Sequence, residues 1–192
     1  MGNFRIKNRF VTSFITLVVV LVGISITFAA GKRSAVFKGQ KAAPFQVRTA
    51  NGKVVKFPQD YEGKVVLLDF WASWCGPCIR ELPSVVAAYE KHYTNGFEIL
   101  GVSLDRPSDQ AKLMQVVREN KMTWPQVYDG QYFKTALAVR FGVRSIPCPI
   151  LIDGDTSLIL AEGTNAIGRK LSRAVEKALL AKSTNQNATA SP

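Results

Sequence analysis

Val65–Trp71 is an almost unbroken apolar run, interrupted only by Asp69, and it leads through Ala72-Ser73-Trp74 straight into Cys75-Gly76-Pro77-Cys78. Such a run fits a strand buried on both faces, which needs helices covering each side of a sheet. The period then changes. Ile79, Leu82, Val85, Val86 and Tyr89 fall on one side of a helix expected from Cys75 to about Tyr93, with Pro83 bending it. The two thiols therefore sit at a strand-to-helix junction. There they can close a small disulfide ring, or open it to a thiolate stabilised by the free N–H groups and dipole of the helix start. That is equipment for thiol–disulfide exchange. A structural zinc site would need all three cysteines and the single histidine, His92. An inert bridge would have no need of the flanking tryptophans and proline.

The rest of the chain keeps the alternation of strand and helix. Phe45 and Val47, then Val54, Val55 and Phe57, alternate about Ala50-Asn51-Gly52-Lys53, an Asn-Gly turn that predicts a hairpin. Phe97–Leu104 reads as a second buried strand, Ser108–Asn120 as a helix, and Trp124–Tyr128 as a short extended segment. Tyr132–Phe141 reads as a helix stopped by Gly142. Ile150–Ile152 and Leu158–Ala161 pair across Asp153-Gly154-Asp155, and Ala166–Lys182 closes the domain with Ile167, Leu171, Val175 and Leu179 inward. The sum is a three-layer α/β/α sandwich with a mixed central sheet and an N-terminal hairpin extension. His92, among polar residues near a helix end, reads as surface.

Phe10–Ala30 carries no charge over 21 residues. At about 1.5 Å per residue a helix of that length spans the ~30 Å hydrocarbon core of a bilayer. Arg5, Lys7 and Arg9 before it favour a cytoplasmic N-terminus and an outward domain, weakly opposed by Lys32 and Arg33. Residues 1–31 are read as a signal anchor, 32–42 as a linker, 43–182 as the folded domain and 183–192 as a disordered tail. A cleaved signal peptide, leaving a secreted form, competes with the anchor. The apolar run exceeds the ~7–15 residues of a signal core, which favours the anchor. Either way the thiols would work against an oxidising background. The net charge of +11 is scattered, apart from Arg169, Lys170, Arg173 and Lys177, and is not interleaved with aromatics as a nucleic-acid platform would be. Attraction to anionic lipid or an acidic partner is one use of it, and a solvated surface the simpler one.

The residues also resemble a known family. Ala43-Pro44-Phe45, Gly63-Lys64-Val65, Asp69-Phe70-Trp71, Trp74-Cys75-Gly76-Pro77-Cys78, Glu81-Leu82-Pro83, Gly101–Asp105 and Phe141-Gly142-Val143-Arg144-Ser145-Ile146-Pro147 occur in order. Over most of residues 38–182 the chain is similar to the thioredoxin fold, and within it to the membrane-anchored, extracytoplasmic TlpA/ResA-like thiol–disulfide oxidoreductases. It departs from them at Cys148-Pro149, where relatives carry Ala or Thr after Ile-Pro, and at Asp69, where they often carry Asn.

Cys75, ahead of the helix, is the candidate nucleophile and Cys78, one turn inside, the resolving thiol of a redox-active pair. The resemblance implies a Cys75 pKa lowered to about 7. It also implies that Asp69 relays a proton to or from Cys78, and that a cis bond at Ile146-Pro147 holds that loop against the dithiol, with the Ile146 backbone free to pair with an extended substrate. Trp74, Gly76 and Pro77 would share the substrate contact. Glu81 is read as a modulator of thiol pKa or as plain helix surface, and Trp74 as substrate contact or packing platform. Cys148 is read as a small buried stand-in for Ala, with a third redox thiol as the alternative. The Gly-Pro pair resembles reducing thioredoxins, near about −270 mV, more than the strong oxidants near about −120 mV. The family further implies a membrane thiol electron donor, disulfides in exported proteins as substrates (apocytochrome c cysteines among them), the periplasmic face of a bacterial inner membrane, and no cofactor or metal. A peroxidase would place Thr or Ser three residues before the reactive Cys and Pro seven before, where this chain has Ala72 and Leu68. A non-catalytic holdase using the Trp74–Pro147 face is the other alternative.

Overall fold

The computed structural model describes residues 38–189, with side chains as far as 184, so the expected anchor and most of the linker lie outside the described residues. Among those described, no helix is long and apolar enough to cross a membrane. The first strands, β1 (Phe45–Arg48) and β2 (Val54–Phe57), form the expected hairpin, with Gly52 at φ +87° in its turn. Then come β3 (Val65–Trp71), α1 (Gly76–His92), β4 (Phe97–Ser103), α2 (Gln110–Glu119) and β5 (Gln126–Val127). The chain continues through α3 (Ala136–Arg140), β6 (Cys148–Asp153), β7 (Ile159–Glu162) and α4 (Arg169–Thr189).

Strands order as β5-β4-β3-β6-β7. β3 runs parallel to β4 and antiparallel to β6, so the sheet is mixed and β3 lies at its centre with all seven residues buried. The alternation of side chains divides β3 into two faces. Phe70 meets Phe141 at the end of α3, with ring centroids 6.0 Å apart, and Phe141 in turn meets Phe45 of the hairpin. Phe45 stacks on Phe57 at 5.1 Å. Asp69 and Trp71 point the other way, toward α1. On that face Gly101 of β4 leaves a gap that the Gln126 side chain enters, and its Oε1 accepts a hydrogen bond from Trp71 Nε1 at 3.1 Å. A Cβ at position 101 would lie 2.1 Å from that oxygen.

Both sheet edges are covered by the segment before β3. Lys41 bridges Leu158 beside β7, and Thr49 bridges Val127 on β5. This blunts edges that would otherwise present unpaired backbone groups.

Four expectations change. The end of the linker is not loose: Gly39 and Gln40 exchange backbone hydrogen bonds with Ile159, and Ala42 is buried. The single helix expected over 132–141 is broken into a 3-10 turn, Tyr132–Lys134, and the short α3, because Thr135 takes an extended conformation between them (φ −53°, ψ 142°). His92 is buried, not surface, and its Nε2 lies 3.2 Å from Ser172 Oγ of α4. The last helix starts at Arg169 instead of Ala166 and runs to Thr189, so much of the expected disordered tail, from Ser183, is helical.

Candidate active site

β3 ends at Trp71, and the turn that follows is fixed by a carboxylate from the neighbouring strand. Asp105, fully buried just beyond β4, accepts from the Ser73 N–H at 3.1 Å, from Ser73 Oγ at 2.6 Å and from Ser103 Oγ at 2.8 Å. Three donors converge on this one buried carboxyl, so the turn is held firmly. The Leu104 N–H also donates to the Trp71 carbonyl at 2.8 Å.

That turn places Cys75 as the N-cap residue of α1. Its Sγ accepts from the Cys78 N–H at 3.2 Å, and the two cysteines are joined as a disulfide. Pro77 stands in the first turn, where its missing N–H leaves nothing unsatisfied. Both sulfur-bearing residues are largely buried, while Gly76, Pro77 and Trp74 are exposed around them. A thiolate at Cys75 would therefore accept a backbone hydrogen bond and face the positive end of a 17-residue helix. His92 ends that same helix, 14 residues and about 21 Å beyond Cys78. It cannot complete a metal site with the dithiol.

Behind Cys78 is a cavity of about 10 Å³, with room for one water-sized group, lined among others by Asp69, Cys78, Glu81, Pro147 and Ile167. Asp69 is 5% exposed. No donor among the described residues reaches its carboxyl, which burial and then the Glu81 charge push up to about 7. Glu81 itself is anchored, accepting from the Gly168 N–H at 3.0 Å where the chain enters α4. The carboxyl of Asp69 and the thiol of Cys78 thus border one small space. An isolated carboxyl in that setting exchanges its proton near neutral pH.

Ile146-Pro147 is a cis peptide, and Pro147 borders the same cavity. Cys148 follows, half-buried at the start of β6 opposite Phe70. Burial, then the charges of Asp69 and Glu162, push its thiol up to about 11, so it stays protonated at neutral pH. The structure thus brings Asp69, Cys78, Glu81 and Pro147 together around one buried cavity and leaves Trp74, Gly76 and Pro77 exposed around Cys75, while His92 lies at the far end of α1. Ala72 and Leu68 put only a methyl and an isobutyl group, both fully buried, at the positions a peroxidase would fill with Thr or Ser and Pro.

Sequence reasoning missed three groups. Asp105 is visible only as a carboxylate closing an apolar strand, a signal that could have been weighed as Asp69 was. The Gly101–Gln126–Trp71 contact has no local signature. Tyr132 is the third: it adopts φ +56°, the left-handed region, with its ring 5.4 Å from that of Trp74.

A model of the AhpC/TSA family matches residues 38–160. The thiol-disulfide oxidoreductase ResA of Bacillus thuringiensis is 30% identical over 158 residues, covering 80% of this chain and 87% of that one. Among solved structures, the thioredoxin domain of a thiol-disulfide oxidoreductase from Bacteroides vulgatus superposes with a TM-score of 0.65 at 28% identity, covering 75% of this chain and 99% of that domain. A thiol:disulfide interchange protein from a Bacteroides species does so with a TM-score of 0.62 at 30% identity, covering 75% and 91%.

Proposed function

The chain belongs to the AhpC/TSA family and is a thiol–disulfide oxidoreductase of the ResA type, and on that premise we propose that it reduces disulfides in exported proteins from the outer face of a bacterial inner membrane, held there by residues 1–31. The observation that carries the reading is the arrangement of Cys75 at the start of α1 with a raised, buried carboxyl across a cavity from Cys78.

The exchange runs in two displacements. Reduced Cys75, as the thiolate favoured by the helix start, attacks one sulfur of the substrate disulfide, and the other substrate sulfur leaves with the electron pair. A mixed disulfide then links Cys75 to the substrate. Cys78 gives its proton to the Asp69 carboxylate, directly or through a water in the cavity, and its sulfur attacks that of Cys75. The second substrate thiolate departs and picks up a proton. The enzyme is left as the Cys75–Cys78 disulfide seen in the structure, and two electrons have passed to the substrate. A membrane thiol protein restores the dithiol by the reverse sequence. Substrate docks as an extended segment along the Ile146 backbone, over Pro147, Gly76, Pro77 and Trp74. Apocytochrome c cysteines awaiting haem are one substrate class this accommodates.

Trapping tests the reading. The full chain carrying Cys78→Ser, expressed in a bacterial membrane, should accumulate mixed disulfides on Cys75 with exported proteins, and adding Cys75→Ser should abolish them. Disulfide turnover that survives Cys75→Ser would overturn it. Adducts left unchanged by Cys148→Ala would show that the third thiol takes no part.

A further inference from the structure

Tyr132 occupies a left-handed conformation (φ +56°) that a bulky side chain rarely adopts. What it gains is a place between two groups. Its ring lies against Trp74, the exposed tryptophan next to Cys75, and the Arg106 guanidinium sits over the ring at 4.2 Å from its centroid. Stacked in this way, Arg106 is held on the ring that meets Trp74, and no ion pair within 4.0 Å involves it among the described residues. Its acidic neighbours in sequence are engaged elsewhere: Asp105 accepts from Ser73 and Ser103 within the dithiol turn, and Asp109 accepts from the Arg106 backbone N–H.

Two more arginines are exposed on neighbouring segments. A guanidinium nitrogen of Arg80 lies over Gly76, 3.5 Å from where a Cβ would stand. Arg144, exposed two residues before Ile146, heads a cleft whose other wall includes Phe133. Phe133 packs edge-on against Tyr132 at 4.7 Å, so the cleft continues the aromatic ledge that starts at Trp74. Neither arginine has an ion-pair partner among the described residues. Of the acidic groups around the dithiol, Asp69 and Glu81 line the cavity behind it and Asp105 is buried within the turn, where Ser73 and Ser103 engage it.

We propose that Arg80, Arg106 and Arg144 form a cationic rim around Cys75 that selects disulfides flanked by carboxylate side chains, with the Trp74–Tyr132 ledge as the apolar floor beneath them. This deepens the reductase reading and rests on Cys75 being the attacking sulfur. Uncompensated charges around an opening steer oppositely charged partners and raise their encounter rates, an effect that falls with ionic strength. The aromatic floor lowers the entropy lost on docking, because Tyr132 and Arg106 are already ordered by one another.

The test uses the full-length chain in neutral detergent, pre-reduced, with three cystine peptides that differ only in the residues flanking the disulfide: Glu, Gln or Lys. At about 20 mM salt the Glu peptide should be reduced about 10-fold faster than the Gln peptide, and the Lys peptide more slowly than either; near about 0.5 M the three should converge. R80Q/R106Q/R144Q should compress the series to within about twofold. R80K/R106K/R144K, which keeps the charge, should restore most of the preference. Equal rates in the native chain at low salt, or a preference that survives the glutamine variant, would overturn the proposal. Failure on all three peptides and on a small aromatic disulfide would overturn the reductase reading itself, and the rim with it.

Discussion

Asp69 and Asp105 are both buried carboxyls, one on β3 and one just beyond the end of the adjacent β4, yet they have been given opposite surroundings. Asp105 accepts hydrogen bonds from a backbone N–H and two hydroxyls. Asp69 faces a cavity, apolar walls and a second carboxylate. A buried charge is tolerable when donors replace its water, and otherwise the group keeps its proton until the pH forces it off. The difference suits the two residues to different work: one holds the turn, and the other, in the mechanism proposed above, moves protons beneath it. Three substitutions bear on this contrast.

The largest effect should come from Asp105→Ala, which leaves the buried Ser73 N–H without its acceptor. A loss of about 4 kcal/mol in urea unfolding is expected, with the dithiol turn becoming susceptible to proteolysis. A loss below about 1 kcal/mol would erase the distinction between the two carboxyls. Asp69→Asn should do the reverse in the oxidised protein. The unfolded carboxyl releases its proton near 3.8 and the folded one near 7, so the native chain loses stability as pH rises across that window. The asparagine variant should therefore match the native chain at the acid end and exceed it by on the order of 4 kcal/mol well above pH 7. The same substitution should remove the inflection near neutral pH from the rate of the resolving step. A stability gain independent of pH would mean that Asp69 is not the titrating group. The smallest effect belongs to Glu81→Gln. Burial is the larger cause of the Asp69 shift and the Glu81 charge the smaller, so that inflection should move to lower pH without disappearing.

Much of this arrangement is legible in sequence because it is local. The apolar run of β3, the cysteine spacing and the start of α1 are written in consecutive residues, and the lone carboxyl of Asp69 stands out against them. What escaped depends on distant partners. The burial of His92 requires α4 to lie across the end of α1, with 80 residues between the histidine and Ser172. The pairing of Gly39 and Gln40 with Ile159 requires the extension to return to a sheet edge formed more than a hundred residues later. The break at Thr135 is visible in neither period nor composition, since the apolar spacing of 132–141 suits one helix and only the backbone of Thr135 separates the two pieces.

Gly101 carries a consequence for how sequences of this kind can vary. The empty space above it is filled from the next strand, and the side chain that fills it anchors the indole just ahead of the cysteine turn. Positions 101 and 126 therefore behave as one heritable unit: a methyl group at 101 must push the end of the Gln126 side chain aside, and moving or shortening that side chain strips Trp71 of its acceptor. Drift at either site alone should be purged, and a tolerated change at one should bring a compensating change at the other.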